Sequence, residues 1–387
     1  MQSKRAIAIV AGEPSGDRHA ANVVRAFGGI CPEAAWFGAG GPDLRAAGAE
    51  ILVPMERLAV VGIGEVLAHL PDLFGAMKTL RRALEERRPD ALVLVDFPDF
   101  NFRLARHASK LQIPILYYIT PQVWAWRQSR TAFLRDRISR ALVIFPFEET
   151  FMRERGVDAE FVGHPLVEDL PQACSRDAFC ERNALDPAGL LVGLLPGSRN
   201  SEVRRILPPL AGAAGLLSKE RSDLTFLLPW AANLKPSLRD LAGSHPVRFV
   251  EGQYHDLLGN VDAAAVASGT ATLESALLGV PMVAVYRLNP VTYAIGKRLV
   301  HLPRVALPNV VLESSEVPEL IQGDCTPRSI AAALRPLLAD PAAARAESAD
   351  LASNLREKLG GGSASHKAAE RICAFLESRA DHRHSIE

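Results

Sequence analysis

The sequence predicts an α/β protein built from two doubly wound parallel sheets. Three observations predict it. Short, near-continuous runs of Val, Ile, Leu and Ala alternate with longer amphipathic segments rich in Ala, Leu and Arg, the pattern of strands buried on both faces and joined by crossover helices. The alternation ends near residue 166 in "FVGHPL", passes through the polar stretch "PQACSRDAFCERNALDPAG" and restarts at "LLVGLLPGSR". The turns after several runs carry glycine, hydroxyl and acidic residues, at the strand ends where open α/β sheets bind ligands. A length of 387 residues suits two cores. The expected division is a first domain over 1–166 and a second over 167–362. A helix and tail over 363–387 is expected to pack back on the first domain.

In chain order, "AIAIVAG" is the first strand, and "AGEPSGD" (11–17) places Glu13, Ser15 and Asp17 in the turn and helix start behind it. The segment 61–89 has apolar residues at Ile63, Val66, Leu67, Leu70, Phe74, Met77, Leu80 and Leu84, which is helical spacing, beside basic Lys78, Arg81, Arg82, Arg87 and Arg88. It reads as a crossover helix kinked or broken at Pro71, or as a segment that touches a membrane or an acyl chain. "ALVLV" is a buried strand, and "DFPDFN" (96–101) puts Asp96, Asp99 and Asn101 at its carboxyl end. A carboxylate there suits a general base, and Phe97, Phe100 and Phe102 would desolvate it; a turn using Asp and Asn for local hydrogen bonds is the alternative. After the strand "PILYYIT", the stretch "PQVWAWR" presents Trp124, Trp126 and Arg127. Aromatic faces suit sugar rings and a guanidinium suits phosphate, while a loop anchored by tryptophans in the core is the better account of at least one of them.

The second series repeats one device. In "LLPGSRNSEV", Gly197 allows close backbone approach, Ser198 can cap the next helix, and Arg199 can reach a phosphate. In "ASGTATLESALLGVP", Ser268, Gly269 and Thr270 offer hydroxyls and N–H groups at a helix start, and Glu274 can take the two hydroxyls of a ribose. Ordinary capped turns would look the same, but two in one domain favour a nucleotide diphosphate. Neither is a GxGxxG or a Walker loop, which disfavours a dinucleotide cofactor and phosphoryl transfer.

Lys+Arg and Asp+Glu both number 44, so the net charge is zero, and a chain that lives on nucleic acid would be basic. Five cysteines without a CxxC pair read as free thiols of a reducing cytoplasm, and no spacing of histidines or cysteines suggests zinc. No signal-peptide pattern opens the chain, and the longest uncharged stretch, 111–126, is too short to span a bilayer.

Taken in order, "AGEPSGD", "DFPDFN", "PQVWAWR", "FPFE", "FVGHPL", "LLPGSR", "ASGTATLESALLGVPMV" and "LPN" resemble the lipid-A-disaccharide synthase family from residue 6 to about residue 312. The resemblance implies a GT-B type fold, with two Rossmann-like domains facing a central cleft. It implies transfer of 2,3-diacylglucosamine from its UDP derivative to the 6-hydroxyl of 2,3-diacylglucosamine 1-phosphate (lipid X), with inversion, no metal and no cofactor, by a monomer or homodimer at the cytoplasmic face of the inner membrane. On that basis Asp99 matches the family's base, with Asp96 second, and Arg199 neutralises the leaving UDP. Gly197, Ser198, Ser268, Gly269, Thr270, Glu274 and Asn309 hold UDP. Glu13, Ser15, Asp17, Asn101, Trp124, Trp126 and Arg127 line the acceptor side. Ile63, Val66, Leu67, Leu70, Phe74 and Met77 meet membrane or acyl chains. The chain departs from the family at Pro14, where Thr is common, so a backbone N–H there is dispensable. A UDP-sugar 2-epimerase, another GT-B transferase and a two-domain binding protein are competing readings that lack these stretches or the need for a base.

Overall fold

The computed structural model describes residues 5–58, 66–125, 128–289 and 304–384, with backbone alone for 66–70 and 380–384. The chain forms two compact units. Met1–Glu168 and Leu359–Glu387 make the first, and Asp169–Lys358 the second.

The first unit holds a parallel sheet of seven strands: β1 Ala6–Ala11, β2 Ala35–Gly40, β3 Glu50–Pro54, β4 Ala91–Val95, β5 Ile115–Tyr118, β6 Arg140–Val143 and β7 Ala159–Phe161, in spatial order β3-β2-β1-β4-β5-β6-β7. The second holds six: β8 Leu190–Leu195, β9 Leu224–Trp230, β10 Val247–Glu251, β11 Ala263–Ala267, β12 Met282–Tyr286 and β13 Glu319–Ile321, in order β10-β9-β8-β11-β12-β13. The central strands β1, β4, β8 and β11 are almost wholly buried because helices cover both sheet faces. This is the doubly wound parallel-sheet unit that the apolar runs predict.

Strand order reverses once in each sheet, between β1 and β4 and between β8 and β11. A reversal sends successive crossover helices to opposite faces and leaves a crevice between the two turns that follow. "AGEPSGD" and "DFPDFN" are those two turns in the first unit. "LPGSR" and "SGTATLE" are those two in the second. The register Ala11↔Val95 sets Gly12 beside Asp96, and Val266↔Leu195 sets the other pair of turns side by side.

Helices Pro14–Ile30, Pro98–Lys110 and Pro146–Arg153 each begin on a proline. Proline's fixed φ starts a helix, and its missing N–H is one the first turn would leave unpaired anyway. That accounts for Pro14: the lost donor lies where the helix does not use one. Helix Val66–Arg87 carries Pro71 inside it rather than ending there. Its buried face, with Ala76, Met77, Leu80, Ala83 and Leu84, covers the first sheet. Met77, expected at an acyl chain, is therefore core, whereas Phe74 is 65% exposed. Ile63 lies outside the described residues, as do the side chains of Val66, Leu67 and Leu70.

The last helix, Ala364–His384, packs against Pro14–Ile30 through Ala368, Ala369, Ile372 and Leu376. His164 N–H donates to Leu359 O at 2.9 Å and Ser365 N–H to Glu168 Oε1 at 2.8 Å, which stitches the returning chain to the first unit.

Candidate active site

At the first crevice, β4 ends in two residues of left-handed backbone, Asp96 (φ 45°) and Phe97 (φ 48°). Non-glycine residues rarely adopt this conformation, and consecutive ones need external support. The Asp96 carbonyl supplies the point of attachment. It accepts from Asn101 Nδ2 at 2.7 Å and from the Tyr117 hydroxyl at 2.8 Å. Burial pushes the pKa of the Asp96 carboxyl up to about 6, and the charge of Glu13 across the crevice adds to the rise; the Phe97 N–H and His19 oppose it.

Asp99 sits differently. It lies in the first turn of Pro98–Lys110, its side chain is 81% exposed, and it is paired with Arg130 at 2.9 Å. It has none of the desolvation that marks Asp96. The two carboxylates thus stand in opposite surroundings, Asp96 desolvated in the turn and Asp99 paired in solvent.

Gly12 is a requirement of the same geometry. A Cβ there would lie 2.4, 2.6 and 2.7 Å from Cδ1, Cγ and Cε1 of the Phe97 ring. The Phe97 ring is itself packed against Phe100, at 5.7 Å between centroids, and against the first core, so it has little room to yield. Gly12→Ala is expected to cost about 1–3 kcal/mol of stability and to lower activity at least about tenfold, roughly the effect of a small misplacement at a reacting centre. Thermal melting and initial rates check it, with Ser15→Ala, at an exposed neighbour, changing stability by about 0.5 kcal/mol or less.

Several residues expected to meet the acceptor are braces. Asp17 is buried, and its carboxylate accepts from the N–H groups of Gly41 (2.7 Å), Asp43 (2.9 Å) and Leu44 (3.3 Å), capping helix Pro42–Ala46. Asn101 is wholly buried and spends its amide on the 95–96 backbone. Trp124 is buried edge-on against Phe145 and Phe147, and its Nε1–H donates to Glu148 Oε1 at 2.8 Å. Glu148 in turn accepts from the N–H groups of Ile144 and Phe145, and burial lifts its pKa to about 7 despite these bonds. Trp124 is therefore the core anchor of its loop, while Trp126 and Arg127 lie outside the described residues. Glu13 and Ser15 remain exposed at the crevice.

Two histidines join the site without having been singled out. His19 lies one turn beyond Ser15, near enough to act electrostatically on both Asp96 and His164. His164 is buried against Phe145, accepts from Leu166 N–H on Nδ1, and stays neutral, its pKa lowered to about 3 by burial and by His19.

At the second crevice, Gly197 has φ 97°, and a Cβ there would lie 2.4 Å from Glu202 Oε2. Glu202 closes the turn. It accepts from Arg199 N–H at 3.3 Å and pairs with the Arg199 guanidinium at 3.1 Å. The helix cap is thus Arg199 with Glu202, not Ser198, whose side is exposed. The Arg199 side chain is 79% exposed. Across the crevice, Gly269 (φ 146°) begins helix Thr270–Leu277, with Thr270 exposed and open space around the glycine. Ser268 gives its hydroxyl proton to Val305 O at 2.8 Å. Asn309 is buried and fully occupied: it donates to Val317 O and Glu319 Oε1 and accepts from Val317 N–H. Both shape the loop beside the crevice rather than facing a ligand. Glu274 accepts from the Tyr254 hydroxyl, a residue the sequence reading passed over.

These two crevices agree with what the whole chain resembles. A family model described as lipid-A-disaccharide synthetase matches residues 7–373. The chain belongs to the lipid-A-disaccharide synthase family. The lipid-A-disaccharide synthases of Nitrosococcus oceani and Geobacter sulfurreducens are each 42% identical to it, covering 96% of this chain and 96% and 97% of their own. A Staphylococcus aureus MnaA–UDP structure shares the fold at 13% identity, with a TM-score of 0.68 over 97% of both chains. For this member of the synthase family, no described helix is long and apolar enough to cross a membrane.

Proposed function

We propose that this chain joins two diacylated glucosamines. The donor is UDP-2,3-diacylglucosamine, and the acceptor is the 6-hydroxyl of 2,3-diacylglucosamine 1-phosphate. The hydroxyl oxygen bonds to the donor's C1 as the C1–O bond to UDP breaks on the opposite face, and the hydroxyl proton passes to Asp96. The products are a β-1,6-linked tetraacyl disaccharide 1-phosphate and UDP, with the anomeric centre inverted.

The observation that carries the reading is the Asp96 carboxyl: half-buried, fixed by a strained backbone at a strand switch point, and poised near pH 6. A base whose pKa lies near working pH is ionised yet still avid for a proton. In the second unit, the Gly197 and Gly269 turns offer N–H groups to a diphosphate, and Arg199 takes up the charge that grows on departing UDP. That assignment needs neither metal nor cofactor. Exposed Phe74, with exposed Lys78 and Arg81 one and two turns further along the same face, suits an anionic membrane surface where both amphiphilic substrates reside.

The test is to mix purified protein with both substrates in detergent and to follow UDP and disaccharide together. Equal yields of the two, unchanged by EDTA, are expected. Turnover of the UDP-sugar without disaccharide would reject transfer and favour a UDP-sugar epimerase on the same fold.

A further inference from the structure

Tyr254 opens helix Tyr254–Asn260, which follows β10, the edge strand of the second sheet. Its hydroxyl crosses to the helix after β11 and donates to Glu274 Oε2 at 2.6 Å. An O–H···O⁻ bond of that length is charge-assisted and geometrically demanding. Burial and the charge of Glu274 push the phenol well above its usual pKa, so Tyr254 stays a donor. A glutamate has three side-chain torsions, and the last of them is broad. The Tyr254 bond restricts those torsions before any ligand arrives.

We infer that Tyr254 is a positioning residue for nucleotide recognition: it fixes the Glu274 carboxylate so that the site selects a ribonucleotide over its 2′-deoxy counterpart. The inference rests on the reading that the second unit holds UDP through Glu274. An ionised carboxylate has about four acceptor positions. Tyr254 takes one, which sets the direction of the others. Fixing the carboxylate plane beforehand lowers the ordering cost of binding, and a carboxylate committed to two hydroxyls is penalised when one is missing.

The experiment is calorimetric titration of UDP and of 2′-deoxy-UDP into wild type, Tyr254→Phe and Glu274→Gln. Wild type is expected to favour UDP by about tenfold or more, the scale of one hydrogen bond to a charged group. Glu274→Gln should abolish the preference. Tyr254→Phe should reduce it to about threefold or less while leaving 2′-deoxy-UDP affinity in place. In turnover, the KM for the UDP-sugar should rise with little change in kcat. If Glu274→Gln loses the preference and Tyr254→Phe keeps it, the positioning role is overturned. If Glu274→Gln keeps it, the underlying assignment of Glu274 fails and the inference with it. A Tyr254→Phe protein that binds both nucleotides more weakly by one common factor would show a packing role only, and would equally overturn the inference.

Discussion

Asp96→Asn should reduce disaccharide formation by about 10²–10⁴-fold, the usual contribution of a general base, while Asp99→Asn should leave the rate within a few-fold. The two residues are three positions apart, but the backbone separates them completely. Asp96 belongs to the strained turn and is half-buried beside Glu13; Asp99 belongs to the helix and pairs with Arg130 in solvent. The pH profile follows from the sign of the shift. The base must be deprotonated, so wild-type kcat/KM should be flat above about pH 6 and fall tenfold per pH unit below it, because that constant reports the free enzyme's groups. Stability runs the other way. A carboxyl whose pKa is raised in the fold favours the protonated form, so its stabilising contribution is complete below the unfolded pKa and is lost as pH rises through 6. Asp96→Asn keeps the neutral form at every pH. The variant should therefore fold at least as well as wild type at pH 8 while being nearly inactive. Rates and melting curves of the two variants between pH 5 and 9 check both halves. An inactive Asp99→Asn protein beside an active Asp96→Asn one would reject the assignment.

From sequence, Asp96 and Asp99 were grouped at one strand end, although a signal that separates them was present. Pro98 marks the first helical position, which leaves residue 96 in the turn and puts residue 99 in the first turn of a helix. The strands were legible for a similar reason: "ALVLV" and "AAAVA" are apolar at every position because both faces are covered, and no helix of this composition ends so soon. What the motifs concealed is the direction of each polar side chain. Asp17, Asn101, Ser268 and Asn309 stand in the same stretches as Glu13, Asp96, Thr270 and Glu274. A crevice needs residues to shape its loops as much as residues to face its ligand, and both kinds are polar and sit at strand ends. Asp17 satisfies the N–H groups of a helix 24 to 27 positions away, a pairing that no local pattern reveals. His19 carried a weak signal, being four residues beyond Ser15 and hence on the same helix face. Tyr254 carried none, since its partner is 20 residues away on the helix beyond β11.

Arg199 is the site of the other large effect. Arg199→Ala should lower kcat by about 10²–10³-fold, the loss typical of removing one group aimed at developing charge, with a smaller rise in KM. The argument starts from how loosely the side chain is held. Its only ion pair among the described residues is with Glu202, three positions on, and the arm is 79% exposed. Such a pair contributes about 0.5 kcal/mol or less, so the guanidinium is released to a ligand at little cost. The turn beneath it is not loose. Gly197 adopts a left-handed backbone that places Glu202 against the turn, and Glu202 receives the Arg199 N–H, so the base of the arm is fixed while its tip is free. In the proposed reaction a charge so placed would contact the diphosphate in both the bound donor and the transition state. The leaving oxygen gains negative charge only as the sugar–oxygen bond breaks, and an interaction that strengthens during that step raises kcat rather than affinity alone. Arg199→Lys should recover part of the loss, since it restores the charge without the two-pronged geometry that suits a diphosphate. Steady-state kinetics of the three proteins distinguish the cases. A fall in kcat ordered wild type, Lys, Ala supports charge neutralisation of the leaving group. A change confined to KM would make Arg199 a residue that binds donor and transition state equally, and the neutralising role would pass to the N–H groups of the two glycine turns.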